Sequence, residues 1–281
     1  MIATLRQPDL SDSAVEKEIR LRNLMREMRS VLVAYSGGVD SAYLSHIATQ
    51  ELGENALCVL GIAPSVSQFQ RDEARSVAES GGFNLEIVET KELADPNYAA
   101  NPSNRCFFCK SELFERLSAL AQQRNIPFVL DGTNSDDMHG HRPGKLAAEE
   151  RGVRSPMAEV GMTKDEIRER SDACGLPGWE RPASPCLASR IAYGVPVTMD
   201  RLSRIEAGES ILRGMGFREF RVREHGELAR IEISPPELIN VLSIERFSEL
   251  STRFKNLGFL YVTLDLKGFR SGAMNEGSAE K

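Results

Sequence analysis

The sequence predicts an α/β protein with a doubly wound parallel sheet, followed by a smaller α+β domain at its C-terminal end. Short apolar strands alternate with amphipathic helices up to residue 130, the order that builds a parallel sheet. A Gly-Gly turn joins the first strand to the next helix. After residue 195 the order changes to helix, strand, strand, helix, strand. We therefore predict two domains, 1–194 and 195–281, since one hydrophobic core seldom extends beyond ~250–300 residues.

The individual elements follow from apolar periodicity and turn residues. The predicted helices are 14–29, 41–50, 69–80, 106–124, 163–173 (stopped by Gly175), 199–214 and 236–257. The predicted strands are 31–35, 56–62, 84–89, 127–130, 220–223, 229–233 and 261–266. The polar region 131–156 is expected to be a ligand-facing loop that contains a helix. The proline-rich stretch 178–196 is expected to be a linker.

Composition and charge limit the classes of function. The chain has 35 Lys and Arg against 41 Asp and Glu, a net charge of −6 and a pI of about 5.5. Indiscriminate nucleic-acid binding depends on neutralising phosphates, so no nucleic-acid partner is expected. The sequence has no run of 18 apolar residues and no signal-like start, so we expect no membrane association and a cytoplasmic location. Five cysteines, an odd number, indicate core residues, metal ligands or reactive thiols.

The strongest local signal is the run SGGVDS, which begins at Ser36 between a predicted strand and a predicted helix. Gly37 and Gly38 let a ligand approach backbone amides closely, and the start of the helix favours an anion such as pyrophosphate. Ser36 and Ser41 add hydroxyl groups, and Asp40 can hold Mg²⁺. The run matches neither the P-loop nor the dinucleotide-binding fingerprint. A simple strand-to-helix turn with a serine cap is the alternative.

This run resembles the PP-loop of the ATP pyrophosphatases, which cleave ATP between the α and β phosphates to adenylate a substrate oxygen. The later run LDGTNSDD, from residue 130, is similar to that family's second nucleotide-facing loop, and a basic residue follows it at position 142. The resemblance implies an adenine nucleotide α-hydrolase-like, Rossmann-like domain. It also implies that ATP and Mg²⁺ bind at the 36–41 turn and at Asp131, Gly132, Thr133 and Arg142.

Three cysteines form a candidate metal or sulfur site. Cys106 and Cys109 lie on one face of a predicted helix, and Cys186 lies in the proline-rich linker. Three thiolates can hold an iron–sulfur cluster and leave one iron open. A Cys₄ zinc site with Cys174, a redox Cys-x-x-Cys pair and plain core packing are the alternatives. Cys174 itself, and Cys58 in a buried strand, are expected to be packing residues.

Most of the chain resembles one branch of the ATP pyrophosphatases, the LarE-type sulfur transferases. The segments that carry this resemblance are SGGVDS, LDGTNSDD with RPG, PASPCLASRIAYG, the Arg221-Val222-Arg223 triplet and YVTLDLKGFRSGAMN. In one version of the family, a lone cysteine at the position of Cys186 gives up its own sulfur. The other version adds a Cys-x-x-Cys, as this sequence does, and is implied to carry a [4Fe–4S] cluster.

The resemblance implies an ATP-dependent sulfur transferase of nickel-pincer nucleotide biosynthesis. Its substrates would be pyridinium-3,5-biscarboxylic acid mononucleotide and a sulfide source, and it would form a homo-oligomer. The implied catalytic residues are Cys106, Cys109 and Cys186, whose cluster would bind the sulfide that replaces a carboxylate oxygen. Three alternatives remain open: a PP-loop tRNA thiolase, an amidotransferase-type synthetase with no cluster, and a non-enzymatic ATP- or redox-sensing iron–sulfur protein.

The segment 186–233 contains eight arginines and no lysine, which favours bidentate binding of phosphate or carboxylate. On the predicted strand 220–223, two of these arginines point to one face. The alternative is a solvated face paired with acidic residues. In the resembling family, the phosphate of the mononucleotide is bound by the residues that match Ser189, Arg190, Glu209, Arg221 and Arg223. Glu209 is also placed to be a structural i,i+4 partner of Arg213.

Overall fold

The structure is a computed structural model that describes residues 13–138, 143–182 and 184–270. The chain divides into two compact units. Unit 1 contains the residues up to Ala63, then Gln68–Glu92 and Asn104–Ser184, and unit 2 contains Pro64–Ser67, Leu93–Ser103 and the residues from Pro185 onward. The folding domains expected from the sequence, 1–194 and 195–281, stay a prediction.

Helices and strands alternate through unit 1, as the sequence predicts. In chain order the α-helices are α1 (Ala14–Met28), α2 (Val39–Leu52), α3 (Gln68–Ser80), α4 (Pro96–Ala99), α5 (Arg105–Gln123), α6 (Pro143–Glu150), α7 (Pro156–Glu159), α8 (Lys164–Ala173), α9 (Met199–Gly214) and α10 (Ile244–Lys255). The strands are β1 (Val31–Tyr35), β2 (Ala56–Ile62), β3 (Asn84–Glu89), β4 (Phe128–Leu130), β5 (Phe220–His225), β6 (Leu228–Ile233) and β7 (Tyr261–Leu264). Within the described ranges, none of the helices has the length and apolar character needed to cross a membrane.

The four strands of unit 1 form one parallel sheet in the order β3-β2-β1-β4. Successive residues of β1 face opposite sides of this sheet. Val31 and Val33 pack in a core with α1, α2, α3 and α8, whereas Leu32 and Ala34 pack in a second core with α5 and α6. Helices therefore cover both faces, and the predicted doubly wound α/β fold is confirmed.

A buried carboxylate links three helices of unit 1. Glu18 of α1 is 7% exposed and accepts hydrogen bonds from Arg22 Nε (2.9 Å), from Arg170 Nε of α8 (2.7 Å) and from the Tyr43 hydroxyl of α2 (2.8 Å). Burial raises the pKa of Glu18, but hydrogen bonds from Arg170, Tyr43 and Arg22 outweigh this effect and leave the pKa below its ordinary value. The carboxylate is therefore held in its charged form.

Unit 2 has a three-stranded sheet in the order β5-β6-β7, in which β5 is antiparallel and β7 is parallel to β6. The smaller C-terminal α+β arrangement is therefore present. The predicted helix 236–257 is wrong, because a 3₁₀ helix covers Pro235–Val241 and α10 begins only at Ile244. Ser243 Oγ accepts a hydrogen bond from Arg246 N (3.2 Å), and this N-cap starts a separate helix.

We expect Glu18→Gln to lower the free energy of unfolding by about 1–3 kcal/mol near neutral pH, because it removes the charge that neutralises two arginines. The folded-state pKa of Glu18 is depressed, so its contribution is fully present above the unfolded-state pKa of 4.5. It is lost as the pH falls through the folded-state pKa. Urea unfolding of both proteins at several pH values measures this difference.

Glu115→Gln is the control for this substitution, since the Glu115 side chain is 72% exposed and pairs with Arg151 at the surface. It should change the stability by no more than about 0.5 kcal/mol. A Glu18→Gln effect that stays constant as the pH falls well below 4.5 would contradict the role given to the charged carboxylate.

Candidate active site

The 36–41 turn lies at the carboxyl end of β1, where the order of the sheet reverses. β2 and β3 lie on one side of β1, and β4 lies on the other. In parallel α/β sheets, ligands bind outside the carboxyl ends of the strands at such a switch point. The two predicted nucleotide loops leave the sheet here, one from β1 and the other from β4. The topology therefore brings them together as a candidate nucleotide site.

Two close approaches shape this site. Gly37 has a φ of +79°, and a Cβ at this position would lie 2.6 Å from Ala74 Cβ of α3. A Cβ at Gly132 would lie 2.9 Å from the Ser41 amide nitrogen in the first turn of α2. Neither position has room for a larger residue, and the loop after β4 lies directly against the start of α2.

The serine hydroxyls of the turn bond to the turn itself. Ser41 Oγ accepts a hydrogen bond from Ser36 N (3.1 Å), donates to Gly38 O (3.0 Å) and lies 3.0 Å from Ser36 Oγ. Gly38 is the N-cap residue of α2, so no side chain caps the first amides of this helix. Uncapped amides at a helix N-terminus favour an anion, and this fits the phosphates expected at the turn.

Asp40 is held by two side chains from distant parts of the chain. Lys164 Nζ forms an ion pair with Asp40 Oδ2, and Asn134 Nδ2 donates to Asp40 Oδ1 (3.3 Å). The Lys164 backbone nitrogen donates to Asp136 Oδ2 (2.8 Å), which ties the start of α8 to the loop after β4. Asp40 fits the role of a Mg²⁺ ligand, because proteins hold Mg²⁺ through one or two carboxylates together with phosphate oxygens. Lys164 brings a positive charge to the same place.

The predicted residues of the second loop stabilise the conformation of that loop. The Asp131 carboxylate accepts hydrogen bonds from Thr133 N (3.2 Å), Thr133 Oγ1 (2.8 Å) and Ser155 Oγ (2.7 Å). These bonds fix the turn that presses Gly132 against α2. Arg142, the fourth residue expected to bind ATP here, lies outside the described residues.

Cys106 and Cys109 lie near the start of α5, in unit 1. Cys106 is exposed and Cys109 is half-buried, while the apolar side chains that α5 buries come from Phe114, Leu117 and Ala121. Plain core packing therefore does not describe Cys106. A Cβ at Gly144, in the RPG run, would lie 3.2 Å from Lys110 Cγ and 3.7 Å from Cys106 O. The start of α6 thus lies against the turn that carries the two thiols.

The thiols fit an iron–sulfur cluster in part. None of the five cysteines, all of which lie in the described ranges, forms a disulfide. Among the residues that the structure describes, no three side chains of His, Cys, Asp or Glu are gathered into a metal site within either unit. Unit 1 offers two neighbouring thiols, and the third expected ligand, Cys186, belongs to unit 2.

The other two cysteines are packing residues, as the sequence predicts. Cys58 of β2 is fully buried in the core of unit 1, and burial raises the pKa of its thiol to about 11. Cys174, after α8, packs against the same core, and burial also raises the pKa of its thiol. Both thiols are therefore held in their protonated form at neutral pH.

Cys186 of unit 2 directly precedes a short 3₁₀ helix, Leu187–Arg190. Leu187 N donates to Ser65 O (2.7 Å), and Ser189 N donates to Cys186 O (3.0 Å). The guanidinium group of Arg190 also donates to Cys186 O (3.0 Å) and to Pro185 O (2.6 Å). Hydrogen bonds therefore hold the backbone on both sides of the half-buried Cys186 side chain.

Two of the expected phosphate-binding arginines are already paired with buried carboxylates. Arg190 Nε and Nη2 donate to the two oxygens of Glu209 at 2.8 and 3.1 Å. Both carboxylate oxygens of Glu209 are thus bound to Arg190. Arg223 Nε donates to Glu232 Oε2 (3.0 Å), whose side chain is fully buried.

Arg221 differs from its neighbours in its surroundings. It donates to Phe220 O (2.6 Å), and its guanidinium group lies over the ring of Phe269, 4.7 Å from the ring centre. Burial, followed by repulsion from Arg190 and Arg223, lowers the pKa of Arg221 to about 10. Glu209 and Glu232 partly oppose this effect, and a bound anion would further stabilise the charged form of Arg221.

Sequence reasoning therefore predicts the turn, the second loop, the cysteines and the strand with Arg221 and Arg223 as site residues, but it does not include Lys164. The capping box at Thr163 marks the start of α8 and gives no reason to connect its first residue with Asp40. The structure brings Asp40, Gly132 and Lys164 together in unit 1, and Cys186, Arg190 and Arg221 belong to unit 2.

The chain is similar to two known proteins along most of its length and to a third along part of its length. It is 45% identical over 255 residues to an uncharacterised protein of Synechocystis, covering 91% of this chain and 95% of that protein. It is 33% identical over 261 residues to the pyridinium-3,5-bisthiocarboxylic acid mononucleotide synthase of Lactiplantibacillus plantarum, covering 92% and 94%. It is 26% identical over 183 residues to one of the subunits of the glutamine-hydrolysing GMP synthase of Methanococcus maripaludis, covering 58% and 56%. No protein-family model matches the chain.

Gly132→Ala tests the close approach of the second loop to α2. The added Cβ would meet the Ser41 backbone, so we expect a loss of about 1–3 kcal/mol in stability and weaker MgATP binding. Thermal unfolding and titration calorimetry measure the two effects. Gly214→Ala is the control, because a Cβ there meets nothing within 4 Å, and it should be neutral or slightly stabilising. Equal behaviour of the two variants would show that the close approach does not matter.

Lys164→Met tests the ion pair beside the turn. Removing the ammonium leaves the Asp40 carboxylate next to the phosphates without its lysine, so we expect MgATP affinity to fall about tenfold or more. Stability should change little, because the Lys164 side chain is one-third exposed. Lys145→Met, at a surface pair with Glu149, is the matched control for titration calorimetry. Unchanged affinity in Lys164→Met would remove this lysine from the nucleotide site.

Proposed function

The chain belongs to the LarE family, that of the pyridinium-3,5-bisthiocarboxylic acid mononucleotide synthase, and we propose that it is an ATP-dependent sulfur transferase of nickel-pincer nucleotide biosynthesis. The observation that carries the proposal is the 33% identity to that synthase along 92% of the chain. The proposed substrate is pyridinium-3,5-biscarboxylic acid mononucleotide. Each carboxylate becomes a thiocarboxylate while ATP is converted to AMP and pyrophosphate. We place this reaction in the cytoplasm.

In the proposed first step, a carboxylate oxygen of the substrate attacks the α-phosphorus of ATP and pyrophosphate leaves. The uncapped amides at the start of α2 support this step, because they would stabilise the negative charge that develops on the leaving group. Asp40 would hold Mg²⁺ on the phosphate oxygens, and Lys164 would add a second positive charge. The carboxylate oxygen becomes part of AMP, which is a good leaving group.

In the proposed second step, sulfide attacks the acyl carbon, and AMP departs with the former carboxylate oxygen. One such round is needed for each of the two carboxylates. We propose that Cys106, Cys109 and Cys186 hold a [4Fe–4S] cluster, which would supply an iron that binds sulfide. The exposure of Cys106 supports this ligand set, because a thiol outside the core is accessible to a metal. On this proposal Cys186 keeps its own sulfur.

We propose that Arg221 binds the phosphate group of the mononucleotide. Its guanidinium group is buried beside the Arg190–Glu209 and Arg223–Glu232 pairs, and a negative charge next to it would stabilise its charged form. Arginine also matches the geometry of phosphate with two parallel hydrogen bonds. Arg223 lies on the same strand and pairs with Glu232, a pair that a phosphate contact at Arg223 would have to disturb.

The match to a subunit of a GMP synthase favours a second candidate, an ATP-dependent synthetase in which ammonia attacks a carbon whose oxygen has been adenylated, and AMP leaves with that oxygen. The activation step would be the same in both reactions, since each replaces an oxygen that has become part of AMP. The nucleophile would differ, and the cysteines would have no part in the ammonia reaction.

A single reaction mixture tests the proposal. The protein is purified without oxygen, its iron content and visible absorption are recorded, and MgATP, sulfide and the biscarboxylate mononucleotide are added. Mass spectrometry should then find AMP together with a product in which sulfur has replaced oxygen. AMP formation with ammonia in place of sulfide, and with no sulfur product, would favour the second candidate.

Cys106→Ser combined with Cys109→Ser should separate activation from sulfur transfer. We expect sulfur incorporation to fall by about two orders of magnitude or more, which corresponds to at least ~2.7 kcal/mol of transition-state stabilisation. Adenylation of the substrate, measured as pyrophosphate release in a single turnover, should stay within about threefold of the unaltered enzyme. Cys174→Ser is the matched control, because Cys174 is a half-buried packing thiol of the same unit. Full sulfur incorporation in the double variant would contradict the ligand role.

A further inference from the structure

The guanidinium group of Arg190 donates its hydrogen bonds to other groups of the protein. The residue is only 2% exposed, and two of its nitrogens donate to the carboxylate of Glu209. The third, Nη1, donates to Pro185 O (2.6 Å), Cys186 O (3.0 Å) and Ser189 Oγ (2.9 Å). A phosphate bound by Arg190 would have to displace several of these charge-assisted bonds. The guanidinium group instead surrounds the turn that carries Cys186.

Glu209 connects the turn that carries Cys186 to β5, the strand that carries Arg221 and Arg223. Its Oε1 atom, which binds Arg190, also accepts a hydrogen bond from Val222 N on β5 (3.4 Å). A second link runs from Arg223 Nη1 of β5 to Ser189 O in the Cys186 turn (3.1 Å). The backbone that presents Cys186 and the strand that presents Arg221 are therefore joined on two sides by buried polar bonds, all within unit 2.

Arg190 and Arg221 differ in how their positive charge is balanced. The bidentate contact with Glu209 neutralises Arg190 inside the protein, and neither side chain is more than 7% exposed. Arg221 lies against the Phe269 ring, and because it is buried, an added negative charge beside it would be favourable. A buried pair of this kind fixes geometry when its donors also reach the neighbouring backbone.

We propose that Arg190 and Glu209 are positioning residues, which hold the Cys186 turn in register with the anion-binding strand and do not bind the substrate phosphate. This inference rests on the proposed function, which gives Cys186 and Arg221 their roles. A fixed turn would present the Cys186 thiol at one place relative to a substrate held by its phosphate. Small displacements of a reacting group are costly, since a shift of about 1 Å can reduce a rate about 100-fold.

Two variants of the pair and one of the strand test this assignment in the full-length protein. Arg190→Met combined with Glu209→Leu removes both charges and leaves no buried charge alone, so the unit should still fold. Arg190→Lys keeps the charge but cannot bridge Glu209 and the turn at the same time. Arg221→Met removes the expected phosphate contact. Arg253→Met, at an exposed pair with Glu249, is the control for the loss of an arginine.

The first measurement is the rate at which iodoacetamide alkylates Cys186, resolved by peptide mass spectrometry after treatment of the protein with a chelator. Cys174 of the same sample is the internal reference. We expect the rate at Cys186 to rise about tenfold in the double variant and to rise also in Arg190→Lys, because the turn loses its charged hydrogen bonds. Arg221→Met and Arg253→Met should react like the unaltered protein.

The second measurement separates binding from turnover. In the double variant we expect kcat for sulfur transfer to fall about 100-fold while KM for the mononucleotide changes by less than about threefold. Arg221→Met should instead raise KM about tenfold or more. A raised KM in the double variant, with kcat and the alkylation rate unchanged, would overturn the assignment. So would an Arg190→Lys protein whose Cys186 reacts like that of the unaltered protein.

The binding of inorganic phosphate, measured by titration calorimetry, tests the assignment independently of the proposed function. Phosphate should bind to the double variant as to the unaltered protein, and it should bind more weakly to Arg221→Met. If the unaltered enzyme transfers no sulfur, the proposed function fails, yet the alkylation and phosphate measurements still decide the role of Arg190. Loss of phosphate binding in the double variant, with Cys186 alkylated at the normal rate, would make Arg190 a phosphate ligand.

Discussion

The phosphate end of the candidate site depends on one close contact, that between the loop after β4 and the first turn of α2. It exists because β1 and β4 are neighbouring strands of a parallel sheet whose order reverses at β1, so both loops leave at the same edge. Gly132 allows the two backbones to meet, and Asp131 holds the turn that brings Gly132 there. The same loop carries Asn134 to Asp40, and its Asp136 binds the start of α8, which delivers Lys164. A change at Gly132 should therefore also disturb Asp40 and Lys164.

The arginines of unit 2 have different roles, and the buried carboxylates determine which of them form internal ion pairs. A buried charge is tolerated only with a partner, so each acid removes one or more arginines from the set available to a ligand. Glu224 is fully buried and pairs with Arg201 and Arg204, and Glu232 pairs with Arg223. The composition alone suggests eight equal candidates for anion binding, but buried carboxylates already hold Arg190, Arg201, Arg204 and Arg223.

Local patterns were enough to predict most of the fold, because periodicity, turn residues and caps act over a few residues. The strands at 31–35, 56–62 and 84–89 have their predicted bounds. The helix expected over 236–257 is wrong, since the pattern of apolar residues continued through Ser243, where a cap restarts the helix. The site was predictable only where a motif names it. Lys164 pairs with Asp40 across 124 positions, and Arg190 reaches Glu209 across 19, distances at which no local pattern connects two residues.

The hydrogen bonds around the Cys186 backbone are relevant to whether this cysteine gives up its own sulfur. A cysteine that gives up its own sulfur reacts once, so its backbone need not return to the same place. A metal ligand must resume its position in every turnover, and this requires a backbone that is held rigidly. The Cys186 carbonyl accepts bonds from Ser189 N and from Arg190, and the following residue is bound to Ser65. Cys106 lies in the first turn of α5, so the helical conformation fixes its backbone. Two cysteines presented by fixed backbones, one in a helix and one in a bonded turn, suit ligands that are used repeatedly.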